Sequence, residues 1–158
     1  MSLKERIRKV VKEEYPREAN WAGFIRWWLA AEGYDYRANP QLVKFVDGAG
    51  DGGIDAVALP LEDIAKDTIF VVQSKFYSKS PTKEDLKRFV DAVKAIRGTR
   101  TEYWEWLSTC RDSLHSVYDK VRDARKRCRF VIVTPCYIDS KLTRQLRKDR
   151  IEVCDAGI

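Results

Sequence analysis

Asp55, Gln73 and Lys75 combine the residue types that metal-assisted chemistry requires. Each lies near the end of an apolar segment, Asp55 in segment 54–59 and the other two in segment 68–76. A carboxylate and an amide carbonyl are oxygen ligands of the kind that Mg²⁺ and Mn²⁺ bind. A lysine beside such an ion could orient or deprotonate a water molecule, or neutralise charge on a phosphate under attack. Because buried polar groups cost free energy unless they are paired, three of them in apolar surroundings indicate a site.

These side chains meet only if the two segments form one antiparallel hairpin. Both segments have the apolar composition of strands, and Pro60–Asp67 is predicted to form the turn between them. If the hairpin is centred near Ile64, Asp55 lies directly opposite Gln73. Gln73 and Lys75 share one face because side chains alternate along a strand. We therefore expect the three side chains to converge at one end of the hairpin.

A glycine-rich segment, 47–53, directly precedes the first strand of this hairpin and contains four glycines. Glycine adopts backbone conformations that other residues avoid, so the segment is predicted to turn sharply and to approach a phosphate closely. Asp51 is expected to serve the turn itself, because Asp-Gly is a common turn pair.

Helices must surround the hairpin, because its second segment is apolar on both faces and is therefore expected at the centre of a covered sheet. Apolar residues recur at helical spacing from Leu3 to Pro16 and again from Trp21 to Gly33, where the tryptophans are expected in the core. Thr82 is expected to cap a third helix, which ends near Gly98.

The rest of the chain alternates helix and strand. We predict a long helix over 101–126, a strand over 130–133, a basic helix over 139–148 and a strand over 151–154. Residues 34–46 are expected to be extended or irregular, so a first strand there stays open. The order of elements predicts a single α/β domain over residues 1–158, with a mixed central sheet flanked by helices on both faces.

Apolar residues in the predicted long helix follow a heptad pattern. Leu107, Leu114, Val121 and Cys128 recur every seven residues, with a companion row at Tyr103, Cys110, Val117 and Ala124. Such a seam suits helix packing of the coiled-coil type. Two interpretations stay open, namely packing inside the chain and pairing of two chains in a homodimer.

The motifs around the candidate site resemble those of a known nuclease superfamily. The segment Gly50-Asp51-Gly52-Gly53-Ile54-Asp55 is followed by a strand that ends in Gln73-Ser74-Lys75. This pair of motifs resembles the PD-(D/E)xK nucleases, and in particular the Mrr-type restriction endonucleases and the nuclease domains of abortive-infection phage-resistance proteins. The resemblance implies a three-layer, restriction-endonuclease-like fold, metal binding by Asp55 and Gln73, and a catalytic role for Lys75.

The resemblance also implies an acidic ligand on the preceding helix, and the sequence departs from the pattern there. The expected position falls near Ala22. Glu18 lies one helical turn earlier and is a candidate distal metal ligand, with Asn20 as its rival. If neither serves, metal affinity is expected to be weak or activity absent.

The charge of the chain favours a polyanionic partner. The net charge is +6, which attracts phosphate backbones. Lys79 and Lys83 follow the second apolar segment, and Lys141 and Arg144 lie on one side of the basic helix near the C-terminus. All four are candidate nucleic-acid contacts that would position a substrate without reading its sequence.

Composition excludes several other classes. No apolar run is long enough to span a membrane and the N-terminus lacks an apolar signal region, so a cytoplasmic protein without a membrane partner is expected. The four cysteines are far apart and there is one histidine, so a zinc site is not expected.

Together these features predict a Mg²⁺- or Mn²⁺-dependent endonuclease that hydrolyses phosphodiester bonds, with DNA as the substrate. One alternative is a nuclease-fold module that binds nucleic acid with little or no activity. Another is an assembly protein that uses the heptad seam. Metal-dependent cutting supports the first, and salt-sensitive binding without cutting supports the second.

Overall fold

The computed structural model describes residues 1–61, 67–76 and 79–155 of the 158-residue chain. Its strands and α-helices follow one another in an α/β order that agrees with the prediction. In chain order they are α1 (Leu3–Glu14), α2 (Asn20–Ala31), β1 (Val43–Phe45), β2 (Ala56–Ala58), β3 (Ile69–Ser74), α3 (Lys83–Arg97), α4 (Arg100–Leu107), α5 (His115–Asp123), β4 (Cys128–Val133), α6 (Ser140–Lys148) and β5 (Glu152–Cys154).

The five strands form one mixed sheet in the order β1-β2-β3-β4-β5. The first three strands are antiparallel neighbours, and β3, β4 and β5 run parallel. Every residue of the central strand β3 is buried, as its continuous apolar run predicted. The parallel pairs require crossovers, which α3–α5 and α6 provide. The sequence did not decide whether a strand precedes the glycine-rich segment, and β1 is that strand.

Helices cover both faces of the sheet, which makes three layers. On one face α1 and α2 pack against Phe70 and Val72 of β3, and the Trp28 ring meets the Phe70 ring edge-on at 5.8 Å. On the other face α3 to α6 pack against Val71 and its neighbours. The expected core role is confirmed for Trp28, which is buried, whereas Trp21 and Trp27 are partly buried and pack against the same core. Each such large apolar side chain contributes about 1.5–3 kcal/mol on full burial.

Local capping determines where α3 begins, directly after the candidate site. The Thr82 side chain accepts from the Asp85 backbone N–H, and the Asp85 carboxylate accepts from the Thr82 backbone N–H at 2.8 Å. This reciprocal pair satisfies two free donors at the helix start, and such caps contribute about 1 kcal/mol. The predicted cap is confirmed.

The predicted long helix over 101–126 is wrong. The chain forms α4, then a turn, then a short 3-10 segment at Asp112–Leu114, and then α5. Ser108 and Thr109 direct their hydroxyls to backbone carbonyls, each at 2.6 Å, which competes with helix continuation. The Arg111 backbone N–H donates to the Gly50 carbonyl at 2.9 Å. A partner 61 positions away thus takes the hydrogen bond that a continuous helix would use.

The heptad seam packs inside the chain. Seven of its eight residues are buried in the core that covers the second face of the sheet, and Val117 packs against that core partly buried. The helices that carry the seam are too short for a coiled coil and already cover their own sheet. The seam therefore gives no argument for a homodimer, which stays an untested prediction.

The remaining element boundaries differ from the predicted ones by a few residues. The strand predicted over 54–59 is shortened to β2, and that over 68–76 to β3. The predicted turn residue Ile64 lies outside the described residues.

All four cysteines are free thiols. Across the described residues, no helix has the length and apolar character needed to cross a membrane.

Candidate active site

The β2–β3 hairpin has the register predicted from the sequence. Ala56 pairs with Val72 and Val57 with Val71, so one further step places Asp55 opposite Gln73. The Gln73 side-chain Nε2 donates to the Asp55 Oδ2 at 2.7 Å. The same Oδ2 accepts from the Ser74 backbone N–H at 2.8 Å. The cross-strand pair is therefore joined by a direct hydrogen bond.

The Asp55 carboxyl lies in surroundings that favour its neutral form. Its burial raises the pKa to about 6, against a smaller lowering by the Ser74 N–H and by the charge of Lys75. The negative charge of Asp47 raises it further. Among the described residues, no hydrogen bond reaches Oδ1 and no cation pairs with Asp55 within 4 Å. A cation beside Oδ1 would stabilise the ionised form.

Lys75 is held in position through its backbone. Its N–H donates to the Val133 carbonyl at 2.9 Å, and its carbonyl accepts from the Thr134 Oγ1 at 2.7 Å. Both contacts come from β4 and the residue after it, so the neighbouring parallel strand fixes the end of β3. The Lys75 side chain is partly buried and its charge acts on Asp55.

A depression of about 330 Å³ surrounds these side chains. Two carboxylates (Asp47 and Asp55), two cations (Arg8 and Lys75) and two amide side chains (Asn20 and Gln73) line it. The complete lining is Arg8, Asn20, Trp21, Asp47, Asp55, Gln73, Ser74, Lys75 and Phe76. Both kinds of charge in one depression suit a ligand that is an anion bound together with a cation.

The structure brings Asn20 to this depression and leaves Glu18 outside it. The Glu18 Oε1 accepts from the Arg26 Nε at 2.8 Å, in a separate small pocket with Tyr15 and Tyr36. The sequence argument placed Glu18 on the helix one turn before Ala22, but α2 begins only at Asn20. Glu18 therefore precedes the helix, and its side chain is engaged elsewhere.

Asp47 is a site residue that the sequence argument missed. It is exposed, lines the depression and acts electrostatically on Asp55. The antiparallel pairing of β1 with β2 brings it there, since Val46 donates to the Asp55 carbonyl at 2.8 Å. The signal in the sequence was a second hairpin, with 43–46 and 55–58 as its strands and the glycine-rich segment as its turn.

Three groups from the second face of the sheet hold the glycine-rich segment. Arg111 donates to the carbonyls of Ala49 and Val46 at 3.0 and 2.9 Å, and the Trp106 Nε1 donates to Gly52 at 3.3 Å. The Tyr118 hydroxyl donates to the carbonyl of Asp51. These contacts fix the backbone that leads into Asp55.

Gly52 is required by the closeness of that packing. Its φ is +71°, and a Cβ there would lie 2.5 Å from the Trp106 Cζ2 and 2.8 Å from the Cys110 Sγ. Any other residue would be strained both by its backbone conformation and by contact with two core side chains.

Comparison with known families agrees with the geometry. A family model described as restriction endonuclease, of Mrr type, matches residues 20–126. The chain belongs to the Mrr-type restriction endonuclease family. The match runs from α2 to just beyond α5, and so includes Asn20, Asp55, Gln73 and Lys75. A search of curated proteins found no match. A search of solved structures found none either.

Membership of this family confirms the resemblance drawn from the glycine-rich and Gln-x-Lys motifs, and the mixed sheet with helices on both faces fits its fold. The α1 helix lies outside the matched range, as do β4, α6 and β5. Within the described residues, no group of three or more histidine, cysteine or acidic side chains is arranged to hold a metal ion. The family pattern implies an acidic residue on α2, but the expected position is occupied by Ala22, which is buried.

The four predicted nucleic-acid contacts lie outside the depression. Lys79 is exposed just beyond β3, and Lys83 lines a groove of about 820 Å³ between α3 and α6. Lys141 is exposed in the first turn of α6, and Arg144 lines another depression beside Tyr137. Lys79 is thus close to the site in sequence, whereas Arg144 of α6 lines a different depression.

Proposed function

We propose that this chain is an endonuclease that hydrolyses phosphodiester bonds of DNA with the help of Mg²⁺ or Mn²⁺. The observation that carries the proposal is the state of Asp55. This carboxylate is largely removed from water, its pKa is raised to about 6 by burial, and its Oδ1 lacks a donor among the described residues. A strongly perturbed acid in a depression is a signature of a functional site.

The side chains present fit a divalent cation with oxygen ligands. Because the Gln73 Nε2 faces Asp55, its Oε1 is directed away from the hydrogen bond and no other hydrogen bond uses it among the described residues. Asp55 Oδ1 and Gln73 Oε1 would hold the ion, with Asp47 and Asn20 on the same depression as further oxygen donors. When bound, Mg²⁺ or Mn²⁺ would lower the pKa of a water molecule and offset phosphate charge.

Lys75 would act on the substrate rather than on the fold. Its backbone is fixed by two contacts from the neighbouring strand, while its side chain lines the depression. The ammonium group would donate to a phosphate oxygen as negative charge builds up during attack, where a fixed donor is most effective. Lys79 and Lys83 would extend the phosphate contacts beyond the site, and Lys141 and Arg144 would meet only a longer substrate.

A binding module without activity is the second candidate, and one observation favours it. Among the residues that the structure describes, Asp55 and the exposed Asp47 are the carboxylates that line the depression, whereas the buried Ala22 occupies the position of the expected helix ligand. Weak metal binding would follow from this ligand set, because neutral amides add no charge against a divalent ion.

A cleavage assay separates the two candidates. Supercoiled plasmid, single-stranded DNA and single-stranded RNA are incubated with Mn²⁺ or with EDTA, using the wild type, Lys75→Ala and the exposed α5 variant Lys120→Ala. We expect Mn²⁺-dependent cutting of DNA that falls by about 10²–10³-fold in Lys75→Ala. Lys120→Ala should cut like the wild type. Salt-sensitive binding without cutting would support the binding module instead. Cutting of RNA but not of DNA would show that the substrate is RNA.

A further inference from the structure

Two cations of α1 lie over the residue that follows Lys75. The Lys4 Nζ is 5.4 Å and the Arg8 Cζ is 5.8 Å from the centre of the Phe76 ring. Arg8 also lines the same depression as Asp55 and Lys75. Arg8 of α1 and Lys75 after β3 therefore line one depression, although they are distant in the chain, and Lys4 lies over Phe76, which lines the same depression.

In the part of the chain that the structure describes, Lys4 and Arg8 make no ion pair within 4 Å. The carboxylate nearest in sequence, Glu5, accepts from the Ser2 N–H in the helix cap at 2.7 Å. This hydrogen bond is the main cause that lowers the pKa of Glu5, and the charge of Arg8 adds a smaller lowering. Lys4 and Arg8 are four residues apart on a helix, where like charges repel by about 0.2–0.5 kcal/mol.

Covering Phe76 does not explain this pair of charges. A cation over an exposed aromatic ring contributes about 0.5–1 kcal/mol, and one side chain is enough for it. The second cation adds repulsion with the first. An acidic residue at either position would have formed a favourable pair on the helix. The arrangement is therefore stabilised best by an anion that approaches from the depression.

The α1 backbone is held firmly enough to position a ligand contact. Ile7 and Val11 are buried against α2, and a Cβ on Gly23 would lie 2.6 Å from the Val11 Cγ1. The two helices thus approach closely at a glycine. Arg8 directly follows the buried Ile7, so its backbone is anchored by this packing and its side chain is exposed to a ligand.

We propose that α1 is a substrate-binding element in which Arg8, supported by Lys4, binds a backbone phosphate next to the one that is cut. The ligand class is a nucleic-acid phosphate, and the proposal rests on the proposed function. It assigns a role to a helix that lies outside the family match. Arg8 and Lys75 would then contact successive phosphates of one strand across the depression.

The test compares two arginines of the same helix. Arg8→Gln removes the proposed contact. Arg6→Gln is the matched control, because Arg6 is exposed and two residues are separated by about 200° around a helix. Binding of a labelled DNA duplex is measured in EDTA by fluorescence anisotropy, over about 50–200 mM salt. Arg8→Lys tests whether charge alone restores binding, and melting temperatures check that all variants fold.

A plot of log affinity against log salt has a negative slope. We expect this slope to become less steep by about 0.9 in Arg8→Gln, which is the value for one lost phosphate contact. Arg6→Gln should keep the wild-type slope, and Arg8→Lys should recover it. Equal slopes for Arg8→Gln and Arg6→Gln overturn the inference, even if the wild type cleaves DNA. An Arg8-dependent slope in a protein that never cleaves supports the inference and refutes the proposed function. A wild type that neither binds nor cleaves overturns both.

Discussion

Two aspartates four residues apart, at Asp51 in the glycine-rich segment and Asp55 at the entry to β2, have opposite environments. Asp51 accepts from the Gly48 and Gly53 N–H groups at 3.1 and 2.7 Å, and from the Arg88 guanidinium at 3.0 Å. Asp55 accepts two hydrogen bonds on a single oxygen and has no cation within ion-pair distance among the described residues.

The difference separates a carboxylate that the fold compensates from one that lacks a cation among the described residues. A buried carboxylate with N–H donors on both oxygens and a cation beside it is compensated and stabilises the turn that it caps. A largely buried carboxylate without a cation raises the free energy of the folded state when it is ionised, as the pKa of about 6 for Asp55 shows. The chain tolerates this cost at the one place where a cation and a substrate are proposed to bind.

Removal of the Asp51 carboxylate should have the largest effect on stability. Asp51→Ala leaves the Gly48 and Gly53 N–H groups without their acceptor and frees Arg88. An unsatisfied buried donor costs about 1–3 kcal/mol, so we expect the free energy of unfolding to fall by about 3 kcal/mol. Urea denaturation measures this. Asp51→Asn keeps one acceptor and should lose less. A stable Asp51→Ala variant would show that Arg111, Trp106 and Tyr118 hold the segment without the Asp51 carboxylate.

Neutralising Asp55 should change stability in the opposite direction. Asp55→Asn keeps an acceptor for the Gln73 and Ser74 donors but removes the desolvated charge. Without metal at pH 8, we expect the free energy of unfolding of the variant to be about 2 kcal/mol higher than that of the wild type. Mn²⁺ should raise the melting temperature of the wild type but not of the variant. A variant that Mn²⁺ still stabilises would place the metal elsewhere.

The same penalty should depend on pH. The pKa of Asp55 is raised from an ordinary 3.8 to about 6, so the folded protein binds this proton more tightly than the unfolded chain. Stability from this group is therefore present below about pH 4 and is lost as the pH rises to about 6, by at most about 1.4 kcal/mol per unit.

The Asp55→Asn variant serves as the control for this pH dependence. Other carboxyls whose pKa is lowered, such as Asp35 beside Arg37, contribute equally to both proteins. The difference in the free energy of unfolding between variant and wild type should then grow between about pH 4 and 6 and stay constant above. A difference that does not change with pH would mean that Asp55 ionises as it does in water.

Gln73 should give the smallest change, which concerns metal affinity. Gln73→Glu places a second negative charge beside Asp55, so we expect Mn²⁺ to bind about tenfold more tightly, or about 1.4 kcal/mol. The metal-free variant should melt at a lower temperature, because two carboxylates then face each other. Isothermal titration with Mn²⁺ and with Mg²⁺ measures the affinities, and Mn²⁺ is expected to bind more tightly in both proteins. Lower stability without tighter binding would show that Gln73 is only a hydrogen-bond partner.

The local pattern of the sequence was enough to predict the hairpin, and its register followed once the turn was centred near Ile64. Two apolar segments separated by a short turn region predicted an antiparallel hairpin. A turn centred near Ile64 then placed Asp55 opposite Gln73, and the structure has this register. The motifs within that alignment were also sufficient to indicate the family.

Only the tertiary structure decided which other side chains complete the site. These side chains are positioned by contacts between residues that are distant in sequence. The hydrogen bond from the Arg111 N–H to the Gly50 carbonyl interrupts a helix, and the hydrogen bond from Arg26 holds Glu18 outside the depression. The pairing of β1 with β2 brought Asp47 beside Asp55, and packing of α1 on α2 brought Arg8. Sequence periodicity reports which face of an element is apolar, but the neighbour that covers this face is selected by packing across the whole chain.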